Sequence, residues 1–232
     1  MLTRLSHRVC LGEIHLIEIY LFINPLGSIC YHTEKQILDF VEKGSKKIQF
    51  RFIPLVNLRT IGDLMKREGI PTTDIKKRNH LFETIFSASL DYKAAQLQGK
   101  KKGRHFLLRL QEAVGCHGKA YSKKLVEKLV VETGGDLEMF LEDRQSEFVK
   151  EAFYSDQQIA REMDIVQHPS AVVYNFSYNK DFGVLVEGKS AMSDIFELCQ
   201  SPETIYDLLD EDYFNQKNKR QVGTSGHSLH LI

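Results

Sequence analysis

HLIEIYLFI at residues 15–23 runs directly into NPLGSIC at residues 24–30, and this junction decides the fold. The first segment is rich in β-branched and aromatic residues and is almost continuously apolar, which predicts a strand that is buried on both faces. Asparagine, proline and glycine then break the strand with turn chemistry. A buried strand that ends in such a turn is typical of the start of an α/β unit.

The residues that follow extend the junction to a β-α-β unit. Apolar residues, beginning with Ile29, recur at helical spacing, which predicts a helix over residues 30–43 with Gly44 as its C-terminal stop. KIQFRFIPL at residues 47–55 alternates apolar and polar side chains and predicts a second strand. A helical crossover between two strands favours a parallel pair.

Helical periodicity then occupies residues 57–164. Thr72, Thr73 and Asp74 are each a suitable N-cap for the long second helix, and the sequence does not choose among them. The predicted helices cover residues 59–68, 73–96, 103–114, 122–132, 137–144 and 146–163.

Strand patterns return near the end of the chain. Residues 170–175 and 183–187 predict a β-hairpin with a turn between them, and residues 190–199 predict a helix capped by a serine. Residues 201–213 predict a short acidic helix, and the polar residues 215–232 predict a disordered tail. The chain therefore has the order β-α-β, helical block, β-β-α, which indicates a small mixed sheet covered by helices.

This order is that of an α/β thioredoxin-like fold with a helical insertion, and two local features support the likeness. The turn motif lies where thioredoxin-like proteins carry their CxxC cysteines, and His168-Pro169 lies before a strand, where they carry a cis-proline. The chain resembles the DsbA family over residues 14–199. The N-terminal residues show no clear pattern and are expected to be a loose extension (1–13). The chain is then divided into a thioredoxin-like domain (14–56 and 165–200), a helical insertion (57–164), and a C-terminal helix with a flexible tail (201–232).

Within the DsbA family, the stretch LDYKAAQLQGKKKGR at residues 90–104 resembles the insertion of the YjbH/SpxH-type adapters of Gram-positive bacteria. That resemblance implies a protein that hands the transcription regulator Spx to the ClpXP protease, with protein partners and no cofactor. The same stretch holds the densest positive charge, which is either a solvated turn between helices or a dock for an acidic partner surface. Its candidate partner-binding residues are Lys100, Lys101, Lys102 and Arg104, with Lys93 and Arg109 nearby.

The redox motif departs from the family pattern. The resemblance implies cysteines at both ends of the motif, but it reads Gly27-Ser28-Ile29-Cys30, so the attacking thiol is missing and only the inward-facing position is filled. We therefore expect Cys30 to be a buried structural thiol, with a reactive or sensing role as the alternative. A cis bond at His168-Pro169 would present backbone groups beside the motif that pair with an extended peptide.

Two enzymatic alternatives stay open. A thiol–disulfide oxidoreductase or isomerase would use Cys30, with Cys116 as a second thiol in an exposed glycine-rich turn. A glutathione-dependent transferase or isomerase would use Ser28, although relatives of that kind carry their serine one position earlier. Cys199 fits a helix face that packs in the core.

Composition argues against several classes of protein. Among 232 residues, 31 are Lys or Arg and 31 are Asp or Glu, so the formal net charge of zero argues against a nucleic-acid-coating protein. No apolar stretch reaches the roughly 20 residues of a membrane span, and no signal peptide is recognisable, which predicts a cytoplasmic protein. The four cysteines form neither a CxxC pair nor a zinc-ligand spacing, so we expect no metal site.

Overall fold

The computed structural model describes residues 16–44, 47–176, 182–187, 191–200 and 230–231. A five-stranded mixed sheet has the order β2-β1-β3-β4-β5. The strands are β1 (Leu16–Ile23), β2 (Lys47–Pro54), β3 (Ser170–Asn175), β4 (Gly183–Glu187) and β5 (His230–Leu231). The α-helices are α1 (Ser28–Lys43), α2 (Leu58–Arg67), α3 (Ile75–Leu97), α4 (Lys100–Gln111), α5 (Lys123–Glu132), α6 (Leu137–Gln145), α7 (Glu147–Glu162) and α8 (Ala191–Gln200), with a π-helical turn at Glu112–Cys116.

The strand register confirms the predicted β-α-β unit and hairpin. Strand β1 pairs in parallel with β2 and antiparallel with β3, and β3 pairs antiparallel with β4. Strand β1 lies inside the sheet between β2 and β3, and it buries side chains on both faces. Ile19 packs in the cluster formed with α1 and α8, whereas Phe22 packs on the opposite face with Ala160 near the end of α7.

A separate apolar cluster holds the helices between β2 and β3 together, and its fully buried members include Ile61, Phe106 and Phe140. Asp74 is the N-cap of α3, since its side chain accepts a hydrogen bond from the backbone N–H of Lys77 at 3.0 Å. The chain therefore uses one of the three caps that the sequence left open. A polar group that bonds an unpaired first-turn N–H is the usual way in which a helix start is stabilised.

The start predicted for the third inserted helix is wrong. Helix α4 begins at Lys100, three residues earlier than expected, so the basic run is its first turn and not a turn between helices. Gly99, at φ 123°, makes the break from α3, a backbone conformation that glycine adopts readily. Gly103 lies inside α4, where a Cβ would come within 2.6 Å of Cγ of Gln96, so this glycine serves close helix packing.

Two further sequence expectations were wrong, and others fall outside the described residues. Ile29 is 51% exposed and does not join the buried stripe of α1. His230–Leu231 forms a strand on β4, where disorder was expected, because its backbone pairs with an otherwise open strand. The N-terminal extension (1–13), the hairpin turn, the Ser190 cap and the acidic helix (201–213) lie outside the described residues.

Candidate functional site

The N-terminus of α1 carries the degenerate motif on a tightly bonded turn. Gly27 is the N-cap residue and supplies no side chain there. Its N–H donates to the carbonyl oxygen of Asn24 at 3.1 Å, and the N–H of Leu26 donates to Oδ1 of Asn24 at 2.9 Å. The position at which a thioredoxin-like enzyme holds its attacking thiol is therefore an empty helix start.

Cys30 lies beneath this turn and is only 1% exposed. Its Sγ accepts a hydrogen bond from the backbone N–H of Asn24 at 3.2 Å. Burial raises the pKa of the Cys30 thiol to about 12, because a thiolate would lose its hydration there. Since the thiolate is the nucleophile in thiol–disulfide exchange, a protonated thiol at neutral pH is unreactive.

The proline loop lies directly against the motif. The His168-Pro169 bond is cis, the isomer that the family resemblance implies. His168 Nδ1 is 3.9 Å from Sγ of Cys30. Burial, followed by the charge of Arg67, lowers the pKa of His168 to about 4. The imidazole is therefore neutral at pH 7 and does not draw a proton from the thiol to form an ion pair.

A groove of about 570 Å³ opens over the motif, within the size range of ligand sites. Its walls combine Ile29 of α1 and His168 of the proline loop with residues of α2, of α3 and of the segment after α4. Apolar side chains dominate the walls, while Arg67, Glu68 and Lys119 add charge. Ser28 also lines the groove as the first residue of α1, and no basic side chain among the described residues hydrogen-bonds its hydroxyl.

A buried polar pair beneath the site escaped the sequence analysis. The Nε2 group of Gln111 on α4 donates to Oε1 of Glu34 at 2.6 Å and to the carbonyl oxygen of Asn24 at 3.0 Å. Glu34 is fully buried, and desolvation raises the pKa of its carboxyl group to about 8. The available signal was the spacing of Glu34 between Cys30 and Ile37 on the buried face of α1.

The π-helical turn Glu112–Cys116 contacts the motif from the other side. A Cβ at Gly115 would lie 2.7 Å from the carbonyl oxygen of Leu26 and 2.7 Å from the backbone nitrogen of Ser28. Only a residue without a side chain allows this approach of two backbones. Short π-helical segments are often found at functional sites.

The remaining cysteines of the described chain differ in exposure. Cys116 is exposed at the end of the π-helical turn, while Cys199 is fully buried in the core under the sheet, as the sequence predicted.

Native thiol labelling is expected to separate these cysteines. In a Cys10→Ser background, Ellman's reagent is expected to modify one thiol rapidly at neutral pH, and Cys116→Ser is expected to abolish that reaction. Cys30 and Cys199 are expected to react roughly 100-fold more slowly, because they must await an opening of the structure. Rapid labelling that persists in Cys116→Ser and disappears in Cys30→Ser would show that the Cys30 thiol is accessible.

The four basic candidates lie away from the groove and do not act as one set. Lys100 and Arg104 line a second cavity of about 370 Å³ beside β2, whereas Lys101 and Lys102 are exposed and line neither cavity. Lys93, expected nearby, is only 6% exposed because it forms an ion pair with Asp156 inside the protein. The basic surface is therefore smaller than the sequence predicted.

The described residues hold no group of three or more His, Cys, Asp or Glu side chains that could bind a metal. Within the same part of the chain, no helix combines the length and apolar character needed to cross a membrane.

A cis-proline loop against a motif at the start of α1 in a mixed sheet defines a thioredoxin-like protein. The chain belongs to the thioredoxin family, since the family model described as thioredoxin matches residues 20–197. DsbA from Xylella fastidiosa, a solved oxidoreductase, shares the fold with a TM-score of 0.56 and 14% sequence identity, covering 81% of this chain and 87% of that one.

Two curated relatives are named ClpXP adapter protein SpxH. The Bacillus subtilis protein is 27% identical over 232 residues, covering 91% of this chain and 75% of the relative. The Staphylococcus saprophyticus protein is 29% identical over 178 residues, covering 77% of this chain. This chain spans 63% of the length of the latter, which is less than two thirds.

Proposed function

We propose that this chain is a cytoplasmic protein-binding adapter that presents an Spx-like regulator to the ClpXP protease. The observation that carries the proposal is a protonated, buried Cys30 beneath an open groove, with Gly27 at the attacking position. This site can bind a polypeptide, but it has no thiolate with which to exchange disulfides. The names of the relatives support the same role.

We further infer a division of labour within the chain. Residues 14–56 and 165–200 would form the thioredoxin-like domain, and residues 57–164 would form a helical insertion that completes the groove. Leu64 and Leu81 of the insertion face the same groove as Ile29. Because the groove is built from both parts, a partner seated in it would contact both at once.

Reconstituted proteolysis tests the adapter role. Purified ClpX, ClpP and an Spx-like regulator are expected to degrade the regulator several-fold faster when this chain is added, and Cys30→Ser is expected to retain that effect. Ile29→Glu is expected to weaken it, since it places a charge in the apolar wall of the groove. Val131→Glu is the matched control, because Val131 is 57% exposed on α5 and lies outside the groove.

The proposal fails if this chain neither binds the regulator nor accelerates its degradation. Thiol–disulfide exchange is the second candidate, because Cys116 offers an exposed thiol near the motif turn. An insulin-reduction assay separates the two functions. Insulin reduction that is lost in Cys30→Ser or Cys116→Ser would support thiol–disulfide exchange. If insulin is reduced no faster with the protein than in buffer alone, the adapter role is the function that remains.

A further inference from the structure

The outer edge of β2 is covered along only half of its length. Strand β2 ends the sheet and pairs with β1, and no other strand of the described chain pairs with it. Residues 52–54 are buried. Gln157 of α7 caps this C-terminal end of the edge: its Nε2 donates to the carbonyl oxygen of Pro54, the last residue of β2, at 2.7 Å, and its Oε1 accepts from the N–H of Val56, beyond the strand, at 3.1 Å. Residues 47–51 stay exposed or half-buried. Open strand edges are templates for pairing with another chain.

The second cavity, of about 370 Å³, runs along this open half. Its walls combine residues of β2 with Glu18, Ile19 and Tyr20 of β1 and with residues of α3 and α4. The half-buried ring of Phe50 supplies an apolar floor, and it packs against the fully buried ring of Phe52, with the ring centroids 5.3 Å apart. Such a site can take apolar side chains while the strand edge supplies main-chain hydrogen bonds.

The cavity carries an excess of positive charge. Arg51 and Lys93 share the carboxylate of Asp156, so these three groups together keep one positive charge. Lys100 and Arg104 have no carboxylate partner within the described ranges. Glu18 is the acidic residue among those that line the cavity. Its carboxylate accepts a hydrogen bond from the Tyr20 hydroxyl at 3.1 Å.

The position of Arg104 is suited to an incoming carboxylate. Its guanidinium carbon lies 4.9 Å from the centroid of the Phe50 ring, so the aromatic face holds the group beside the strand edge. Lys100 is one helical turn earlier on the same side of α4. Because alternate residues of an added strand point the same way, its side chains on one face can reach both cations.

We propose that the open half of the β2 edge, with Lys100 and Arg104, is a docking site for an acidic, extended segment of a partner protein, which adds to the sheet as a further strand. The inference rests on the proposed adapter function for its biological role, since it assigns one of the surfaces that such an adapter needs. The docking itself follows from the strand edge and its charges.

Fluorescence anisotropy with a defined peptide tests the docking. The probe is a dye-labelled peptide of about eight alternating valine and glutamate residues, the length of a typical long strand. It is expected to bind the full chain, and the double variant Lys100→Glu/Arg104→Glu is expected to weaken binding by about tenfold or more, equivalent to about 1.4 kcal/mol. The double variant Lys101→Glu/Lys102→Glu changes the charge equally on the same turn, and is expected to change affinity by less than about threefold.

Two control peptides separate strand addition from simple charge attraction. A peptide of alternating valine and lysine is expected not to bind, and a backbone N-methylated form of the acidic peptide is expected to bind much more weakly because it lacks N–H donors. Equal losses in the two double variants, or undiminished binding of the methylated peptide, would overturn the inference. Absence of binding to the full chain would also overturn it, because the edge would then be closed by another part of the chain or by a second copy.

The peptide measurement is independent of proteolysis. If the peptide binds as expected but reconstituted ClpXP is not stimulated, the docking site stands and the adapter role fails. If proteolysis is stimulated but the two double variants bind the peptide with equal affinity, the adapter role stands and this docking site is wrong.

Discussion

Glu34→Gln is expected to remove a pH dependence of about 3 kcal/mol from the stability of this protein between pH 5 and pH 8. The pKa of the Glu34 carboxyl group is about 8 in the folded protein and 4.5 in the unfolded reference. The folded state therefore holds the proton more tightly than the unfolded chain. The resulting stabilisation is complete below pH 4.5 and is lost as the pH rises through 8.

The geometry around Glu34 agrees with a neutral side chain. Its Oε2 atom and the Oε1 atom of Gln111 are both buried acceptors without a hydrogen-bond donor among the described residues. A protonated Glu34 supplies an O–H group that can serve the second of these acceptors, whereas a carboxylate leaves both unsatisfied. Glutamine keeps the shape and stays neutral, so the variant is expected to be the more stable protein at pH 8.

Urea unfolding at several pH values between 5 and 8 measures this effect. Glu42→Gln is the matched control, because Glu42 is exposed on the same helix, and its stability curve is expected to follow that of the wild-type protein. Histidines and other groups contribute equally to all three proteins, so the difference between the curves isolates Glu34. Parallel curves for Glu34→Gln and the wild-type protein would show that this carboxyl group is already ionised at pH 5.

Asp156→Ala is expected to destabilise the fold by about 3–5 kcal/mol, the usual cost of removing one partner of a buried ion pair. Asp156 is fully buried on α7 and accepts from Nη2 of Arg51 on β2 at 2.7 Å. It also forms an ion pair with Lys93 on α3. Burial lowers the pKa of Lys93, and the carboxylate of Asp156 opposes that change. Without Asp156, a buried ammonium group has lost its nearest opposite charge.

A second substitution distinguishes the loss of charge compensation from a loss of packing. Lys93→Met in the Asp156→Ala background is expected to recover part of the lost stability, since an apolar side chain of similar length needs no counter-charge. Asp63→Ala is the surface control, because Asp63 pairs with exposed Lys66 and is expected to cost less than about 1 kcal/mol. If Lys93→Met destabilises the Asp156→Ala variant further, the uncompensated charge of Lys93 is not the cause of the lost stability.

Local sequence patterns predicted the helices and strands that are determined by interactions between residues close in sequence. The strand before the motif, the parallel crossover and the hairpin all follow from periodicity and turn chemistry, and the structure has them with bounds shifted by one or two residues. The resemblance to DsbA-type proteins correctly implied that Cys30 is buried. These features depend on neighbours within a few residues or on a fold shared with known proteins.

Tertiary contacts decided the features that the sequence did not reveal. Gln111 meets Asn24 across 87 residues of chain, and no local pattern indicates that contact. Lys93 looked like part of a basic surface until Asp156, far along the chain, placed it inside. Gly103 resembled a helix start, although its small size serves the packing of α4 on α3. Each error came from a residue whose role is set by a distant partner.

The backbone contact at Gly115 limits how this protein can be recombined with its relatives. A shift of one residue in the segment after α4 would bring Val114 or Cys116, each with a side chain, onto the carbonyl of Leu26 and the nitrogen of Ser28, where a Cβ has only 2.7 Å. The segment after α4 and the motif turn can therefore be exchanged for those of a relative only when both are exchanged together. A chimera that exchanges one of them needs a glycine at this point, in the same register, before its groove can close.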